Sequence, residues 1–555
     1  MKISNVLVCA LALGLGACGA GDNDGATGPD GISAEDIAAH VAVLASDEFE
    51  GRGPSSPGEE KTVAYLAAQY KAMGLQPGNG DSYFQDVPLV DITADPDTKL
   101  VFTDAGGNQI SFDYASEMVV WTTRVVERSA VENSEVVFVG YGIVAPEYDW
   151  NDYEGLDVAG KTVIILVNDP GFATGDEDLF TGRAMTYYGR WTYKFEEAAR
   201  QGAAAALVVH QTAPAAYGWD TVRNSWTGPQ FSLEAENGNM DRIAIEGWIT
   251  EQSARILFEH TGVDFDTAAA AAMSRDFEPR HLGRTASVAV DNVIRHSSSR
   301  NVVAVLPGSE VPDEYFIYMA HWDHLGLDPS IEGDGIYNGA LDNASGTAAL
   351  LELAQAFASL EKSPRRSMIF MSVTAEEQGL LGSAHYAANP LFPLHKTVAG
   401  LNMDGLNIIG PTAEITVTGY GMSELDAVLQ KAAEARGRRI DPDPKPEYGS
   451  YYRSDHFELA KMGVPMIYPN SGIDHLEKGV AYGQAMSDKY RAERYHMPTD
   501  EFDETWDLSG AVADVLLYYD VGLAVANSDQ WPNWYVTSAF RNIRIASLRA
   551  AKRGQ

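Results

Sequence analysis

Cysteine is almost absent from this chain. Its 555 residues include two, Cys9 and Cys18, both close to the N-terminus. The body of the protein therefore has no intrachain disulfide to brace it and no thiol to serve as nucleophile or metal ligand. Basic residues are scarce as well: 40 lysines and arginines stand against 78 acids, a formal charge of −38. Each phosphate contact with a nucleic acid would be opposed by the protein's own field, which excludes nucleic acid as a partner. The acidity itself is read as solubility. Long apolar runs are lacking too. The run from about Val6 to Leu15 is shorter than the roughly 20 residues that a membrane-spanning helix needs. What is present is 45% hydrophobic residues, enough for more than one core, over a length that fits roughly two to four domains.

The opening MKISNVLVCALALGLGACGAGDND has Lys2, the short apolar run and small residues before Cys18, the pattern of an export signal. It resembles a bacterial lipoprotein signal, with Leu15, Gly16 and Ala17 as the lipobox. The resemblance implies cleavage after residue 17, a lipid anchor on Cys18 as the sole membrane contact, and a place in the bacterial cell envelope. Gly19 after the cysteine leans towards the outer membrane, periplasmic side; the alternative is a cleaved secretory peptide and a secreted protein. Residues 18–31 are too polar and glycine-rich to pack and read as a tether.

From Ile32 to Leu75 the pattern is helical, with Ser33 and Asp36 placed as a capping box and a second helix near Lys61 to Met73. An alternating strand pattern resumes at 291–308. Between them, about 135–279, lies an insertion with its own grammar: a GYG turn at 140–142, a GK turn at 160–161 before an apolar strand, and EEAARQGAAAALVV, a helix feeding a strand. These parts resemble a protease-associated domain, a non-catalytic β-rich module. The ordinary alternative is an α/β insertion with packing roles only. From Asn301 onward apolar strands alternate with amphipathic helices, which argues for an α/β fold with a mostly parallel sheet flanked by helices. The expected division is thus 1–17 signal, 18–31 tether, 32–134 first part of the main domain, 135–279 insertion, 280–530 main domain, and 531–555 a basic C-terminal tail lying on an acidic body.

Five short segments, HWDH at 321–324, NGALDNASG at 338–346, TAEEQG at 374–379, NMDG at 402–405 and YHMPTD at 495–500, follow strand patterns or open helices. In such sheets, sites form outside the carboxyl ends of the strands. Together the segments hold the histidines and carboxylates that a bridged metal pair with a general base requires. In this order they resemble peptidase family M28, the zinc aminopeptidases and carboxypeptidases, over most of the chain.

The resemblance implies two zinc ions per chain and a zinc exopeptidase type of sheet. It makes His321 and Asp404 ligands of the first ion, Glu377 and His496 ligands of the second, and Asp342 the bridge. Glu376 is then the general base, and Asp323 orients the His321 imidazole. Tyr451, three places before the serine of YYRSDHF, becomes the oxyanion donor, with Tyr495 as a second candidate. His475 competes with His496; His324, His385, His395 and His456 read as structural or lining residues. Glu376 and Glu377 by themselves could equally be a solvated loop.

Peptides are the implied substrates, and an aminopeptidase is the leading reading. A carboxypeptidase or dipeptidase would need a cation for the substrate's terminal carboxylate. Arg183, Arg190 and Arg453 are available for that, and no sequence feature places them at the site. Glutaminyl cyclisation occurs on a similar fold with one zinc.

Overall fold

The computed structural model describes residues 32–553 except 260, 261 and 263. The export signal, the tether and the anchor on Cys18 lie outside the described residues.

The central strands are buried along their whole length, as a sheet covered on both faces demands. Arg366–Val373 and Thr397–Asn402 have no exposed position. Val311–His321 runs between them, parallel to both, and Met466–Ser471 extends the parallel set. Antiparallel strands complete the edges: Arg280–Leu306, then Phe84–Ala94, then Pro229–Leu233 on one side, and Glu414–Thr418 on the other. Strand alternation divides the side chains. Phe316, Tyr318 and Phe370 pack under the helices Ala34–Leu44, Pro57–Ala72, Gly346–Ala358 and Ser509–Asn527. Ile317, Met319 and Met371 face Leu381–Ala388 and His456–Lys461. The Ser33 cap forms as its spacing implies, its hydroxyl accepting from Asp36 N at 3.0 Å. Ser509–Asn527 is apolar and long enough to cross a membrane, but 67% of it is buried in the core, so it is read as a core helix.

A second sheet is built from parallel strands Arg128–Phe138, Thr162–Leu166, Ala205–His210 and Ile245–Thr250. Helix Trp191–Arg200 feeds its third strand. This sheet also takes in Lys99–Asp104, Gln109–Asp113 and Met118–Trp121, three strands upstream of residue 135. The 27-residue strand Arg280–Leu306 belongs to both sheets. The insertion gives Pro229–Leu233 to the edge of the main sheet and packs back on it, with Met185 N donating to Pro446 O at 3.1 Å.

The C-terminal helix Phe540–Arg553 is held by burial more than by charge. Trp534 and Phe540 are fully buried, and Arg544 donates to the carbonyls of Leu394 and Thr397 at 3.1 and 2.7 Å. A basic residue can thus satisfy main-chain acceptors instead of an acid.

Glu246, on Ile245–Thr250, shows what burial costs a carboxylate. It accepts hydrogen bonds from Trp121 Nε1 at 3.1 Å and Thr123 Oγ1 at 3.2 Å. Burial outweighs these contacts and the charge of Arg242, raising its pKa from 4.5 to about 7. The folded protein therefore keeps a proton that the unfolded chain releases, and this group's contribution to stability declines as pH rises through that window. In Glu246→Gln the amide can still accept from Trp121 and donate to Thr123. We expect it to match the parent at pH 5 and exceed it by about 2 kcal/mol at pH 8, measured by urea unfolding. An equal difference at both pH values would show that the carboxyl does not titrate in this way.

Candidate metal centre

The parallel strands end at one edge of the sheet, and the turns leaving their carboxyl ends meet there. His321 closes Val311–His321. Its Nε2 lies 3.4 Å from Asp342 Oδ1 and 3.4 Å from Asp404 Oδ1. Its Nδ1 sits 3.1 Å from the main-chain oxygen of Asp323, which places the proton on Nδ1 and leaves the Nε2 lone pair for a cation. Asp342 Oδ2 is 3.2 Å from His496 Nε2, which is also 3.2 Å from Glu377 Oε2. Glu377 Oε1 lies 2.6 Å from His324 Nδ1. Two groups result, His321–Asp342–Asp404 and His324–Asp342–Glu377, each with ligand atoms within 4.8 Å of one another. Asp342 belongs to both. His496 touches the second group through both of its carboxylates.

The turn that carries Asp342 is held from several sides. Residues 340–345 wind as a wide turn with non-helical dihedrals at Asp342 and Asn343. Gly339 has φ +53, and a Cβ there would fall 2.3 Å from Asp342 O and 2.5 Å from the His324 ring, so a side chain is excluded. The Asp500 carboxylate accepts from Leu341 N and Asp342 N, each at 3.2 Å. Buried Arg52 donates to the carbonyls of Trp322, Asn338 and Gly339 at 2.8, 2.6 and 2.8 Å, tying this turn to the HWDH turn.

Asp323 acts differently from the expectation. Its carboxylate is 3.8 Å from His321 Nδ1, too far for a hydrogen bond, and the ring is held by the residue's main-chain oxygen. The carboxylate instead accepts the amides of Glu376 at 3.1 Å and Glu377 at 3.4 Å. It therefore sets the glutamate pair, which diverges: Glu377 joins the second group while Glu376 lines the cavity. Asp404 is fixed by Ser454 Oγ, which donates at 2.8 Å and itself accepts from Asn402 Nδ2.

Tyr451 is not where an oxyanion donor must be. It is buried, donates to Met466 O at 3.2 Å and packs on the His456 ring. Gly419 lets it lie there, since a Cβ would meet the ring at 2.2 Å. Tyr468 and Tyr495 are among the tyrosines that line the cavity, the second stacked on His496 with centroids 3.9 Å apart. His324, read as structural, belongs to the second group; only the curl of the HWDH turn brings it there, and spacing alone does not show this. His475 is engaged elsewhere, its Nδ1 accepting the amides of Glu477 and Lys478 at 3.1 Å.

The electrostatics fit a cation-binding centre. Burial disfavours a charged His496, yet hydrogen bonds to Asp342 and Glu377 outweigh it and push the pKa up to about 10. His321 is likewise raised well above its usual value, burial being outweighed by Glu376, Asp404 and Asp342. Burial, together with Asp404, Glu377 and Asp455, raises Glu376 in spite of His321. So many recessed carboxylates demand positive charge, and the mixed imidazole–carboxylate set suits a divalent transition metal. His324 Nε2 is buried without a partner. The groups open on a cavity of about 1730 Å³, with Trp121 of the second sheet and Trp226 and Phe231 of the insertion on one side, and Asp404, Tyr468 and His496 on the other.

Residues 301–520 match the family model described as peptidase family M28. The aminopeptidase NAALADL1 of Mus musculus is 34% identical over 166 residues, 28% of this chain and 20% of that protein. The probable glutamate carboxypeptidase LAMP1 of Arabidopsis thaliana is 33% identical over 214 residues, 37% of this chain and 28% of that protein. The chain thus spans less than a third of either relative. Among solved structures, the aminopeptidase from Aneurinibacillus sp. strain AM-1 superposes with a TM-score of 0.47 at 20% identity, covering 89% of this chain and 94% of that one. All the side chains of the two groups fall inside the stretch that matches peptidase family M28.

Proposed function

We propose that this protein is a zinc-dependent exopeptidase, most simply an aminopeptidase, that holds two zinc ions per chain at the paired groups. The observation that carries the reading is Asp342, one carboxylate whose two oxygens face two separate sets of donors, with Glu376 recessed beside them. His321, Asp404 and the first oxygen of Asp342 would hold one ion. Glu377, His496 and the second oxygen would hold the other, with His324 against Glu377. Such ions supply Lewis-acid activation of a water and of the scissile carbonyl.

The chain's own residues do the rest. Glu376, its backbone pinned by Asp323, takes the proton from the attacking water and returns it to the leaving amine. Tyr495 and Tyr468 offer hydroxyls to the developing oxyanion, in place of Tyr451. No covalent intermediate is needed. The match to peptidase family M28, the zinc-metalloprotease and aminopeptidase names among the relatives, and the donor chemistry support this reading. A carboxypeptidase or dipeptidase is the second reading, favoured by the glutamate carboxypeptidase relatives. We also propose that the insertion is a protease-associated domain and that the chain is a lipid-anchored envelope protein that acts on peptides.

Glu376→Gln should retain its zinc, measured by elemental analysis, and lose about 10³-fold or more in kcat; near-normal turnover would remove Glu376 as base. Asp342→Ala should lower both zinc content and activity, and full occupancy of two ions would contradict a shared ligand. With free, N-acetylated and C-amidated dipeptides, an aminopeptidase loses only the N-acetylated substrate, whereas a carboxypeptidase loses only the amidated one.

A further inference from the structure

The HWDH turn reaches the second group of donors through a side chain that does not have the spacing of a ligand. His324 is fully buried, and its Nδ1 stands 2.6 Å from Glu377 Oε1. Two donors on one tetrahedral zinc, each about 2.0 to 2.1 Å from it, are about 3.3 Å apart. Within the second group, Glu377 Oε2 to His496 Nε2 and His496 Nε2 to Asp342 Oδ2 are both 3.2 Å, which suits a shared cation. The separation at His324 is too short for that and is a short hydrogen bond to a charged acceptor. An ionised carboxylate only accepts, so the proton is assigned to Nδ1.

The ring has little freedom to do anything else. Its edge meets the His496 ring with centroids 5.7 Å apart at 75°. Gly339 presses on another flank, where a Cβ would fall 2.5 Å from the ring, and the His324 amide donates to Arg52 O at 3.3 Å. Nε2 has no hydrogen-bond partner among the described residues, so Glu377 is the one polar group that the ring serves. Asp323, one residue earlier in the turn, accepts the amide of Glu377 at 3.4 Å. Backbone and carboxylate of one glutamate are thus both held from one turn.

The two groups differ in how much they need such support. The His321 side chain is 1% exposed and closes a strand of the central sheet. The His496 side chain is 36% exposed and follows helix Gly479–Glu493, in which Gly483 alone is buried. We propose that His324 is the positioning residue of the second zinc site: by donating to Glu377 Oε1 it turns Oε2 towards the ion, and retention of the second ion depends on that bond. The inference rests on the two-zinc peptidase reading and deepens it. The first ion is then the tightly held one and the second the exchangeable one.

Metal-free protein titrated with zinc against a chelator of known affinity gives stepwise affinities without any turnover. The parent should bind two ions. His324→Leu, which removes the donor, should weaken the second by about 10- to 100-fold, the usual effect of losing an outer partner of a metal ligand, and leave the first unchanged. His324→Asn, whose Nδ2 takes the place of Nδ1, should recover most of that loss, which neither a packing role nor a ligand role would allow. Equal second-ion affinity in the parent and His324→Leu would overturn the proposal, and so would an Asn variant as weak as the Leu one. Because a change at a buried position can prevent folding, zinc-loaded crystals of the parent give an independent answer. There Nδ1 should remain on Glu377, and an Nδ1–zinc contact of about 2.1 Å would make His324 a ligand and overturn its positioning role. A parent that takes up a single ion defeats the two-zinc reading and this inference with it. Two ions with His324-dependent affinity, and no peptide cleaved, would leave the inference standing and defeat the peptidase reading.

Discussion

Buried negative charge without its counter-charge is the constraint on which this structure turns. Asp342, Glu377, Asp404 and Glu376 meet at one edge of the sheet in a recess where carboxylates repel one another. The protein meets that cost with preorganisation. Asp500 and Arg52 fix the turn that carries Asp342, Asp323 fixes the glutamate pair, and Ser454 fixes Asp404. Most of these supports act through backbone or hydroxyl groups and orient a carboxylate without neutralising it; buried Arg52 alone among them adds a positive charge that Asp342 and Glu377 feel. The remaining demand for positive charge is what makes the recess a candidate seat for cations.

The parallel centre of the sheet follows from its sequence pattern. Fully apolar strands such as Arg366–Val373 can be stable only when covered on both faces, and their carboxyl ends then have to share an edge. That is why His321, Glu376 and Asp404, far apart in the chain, were readable as one site. Tyr451 was not readable in this way, because YYRSDHF gives the order of its residues and not their facing. Gly419 decides that facing by opening a slot for the ring. His324 was missed for a related reason: a turn of four residues can direct its last side chain to either side. The role of Asp323 depended on which of its oxygens met the imidazole, and no spacing distinguishes main chain from side chain.

The insertion was legible as a separate piece, but not as a wall of the cavity. Upstream of residue 135 the Gly106-Gly107 turn marks only a local hairpin, and Lys99–Asp104 joins the second sheet through pairing with a distant strand. Contacts between the two units are tertiary in the strict sense. Met185 and Tyr187 of the insertion meet Tyr451, Tyr452 and Phe457 of the main domain in one small apolar cluster.

The strand Arg280–Leu306 runs unbroken from one sheet into the other, while Pro229–Leu233 ties the insertion back to the main sheet. Covalent continuity through a paired ladder leaves no slack connector at that junction. The wall that the insertion lends to the cavity is thus fastened to the main sheet twice, by a shared strand and by an edge pairing.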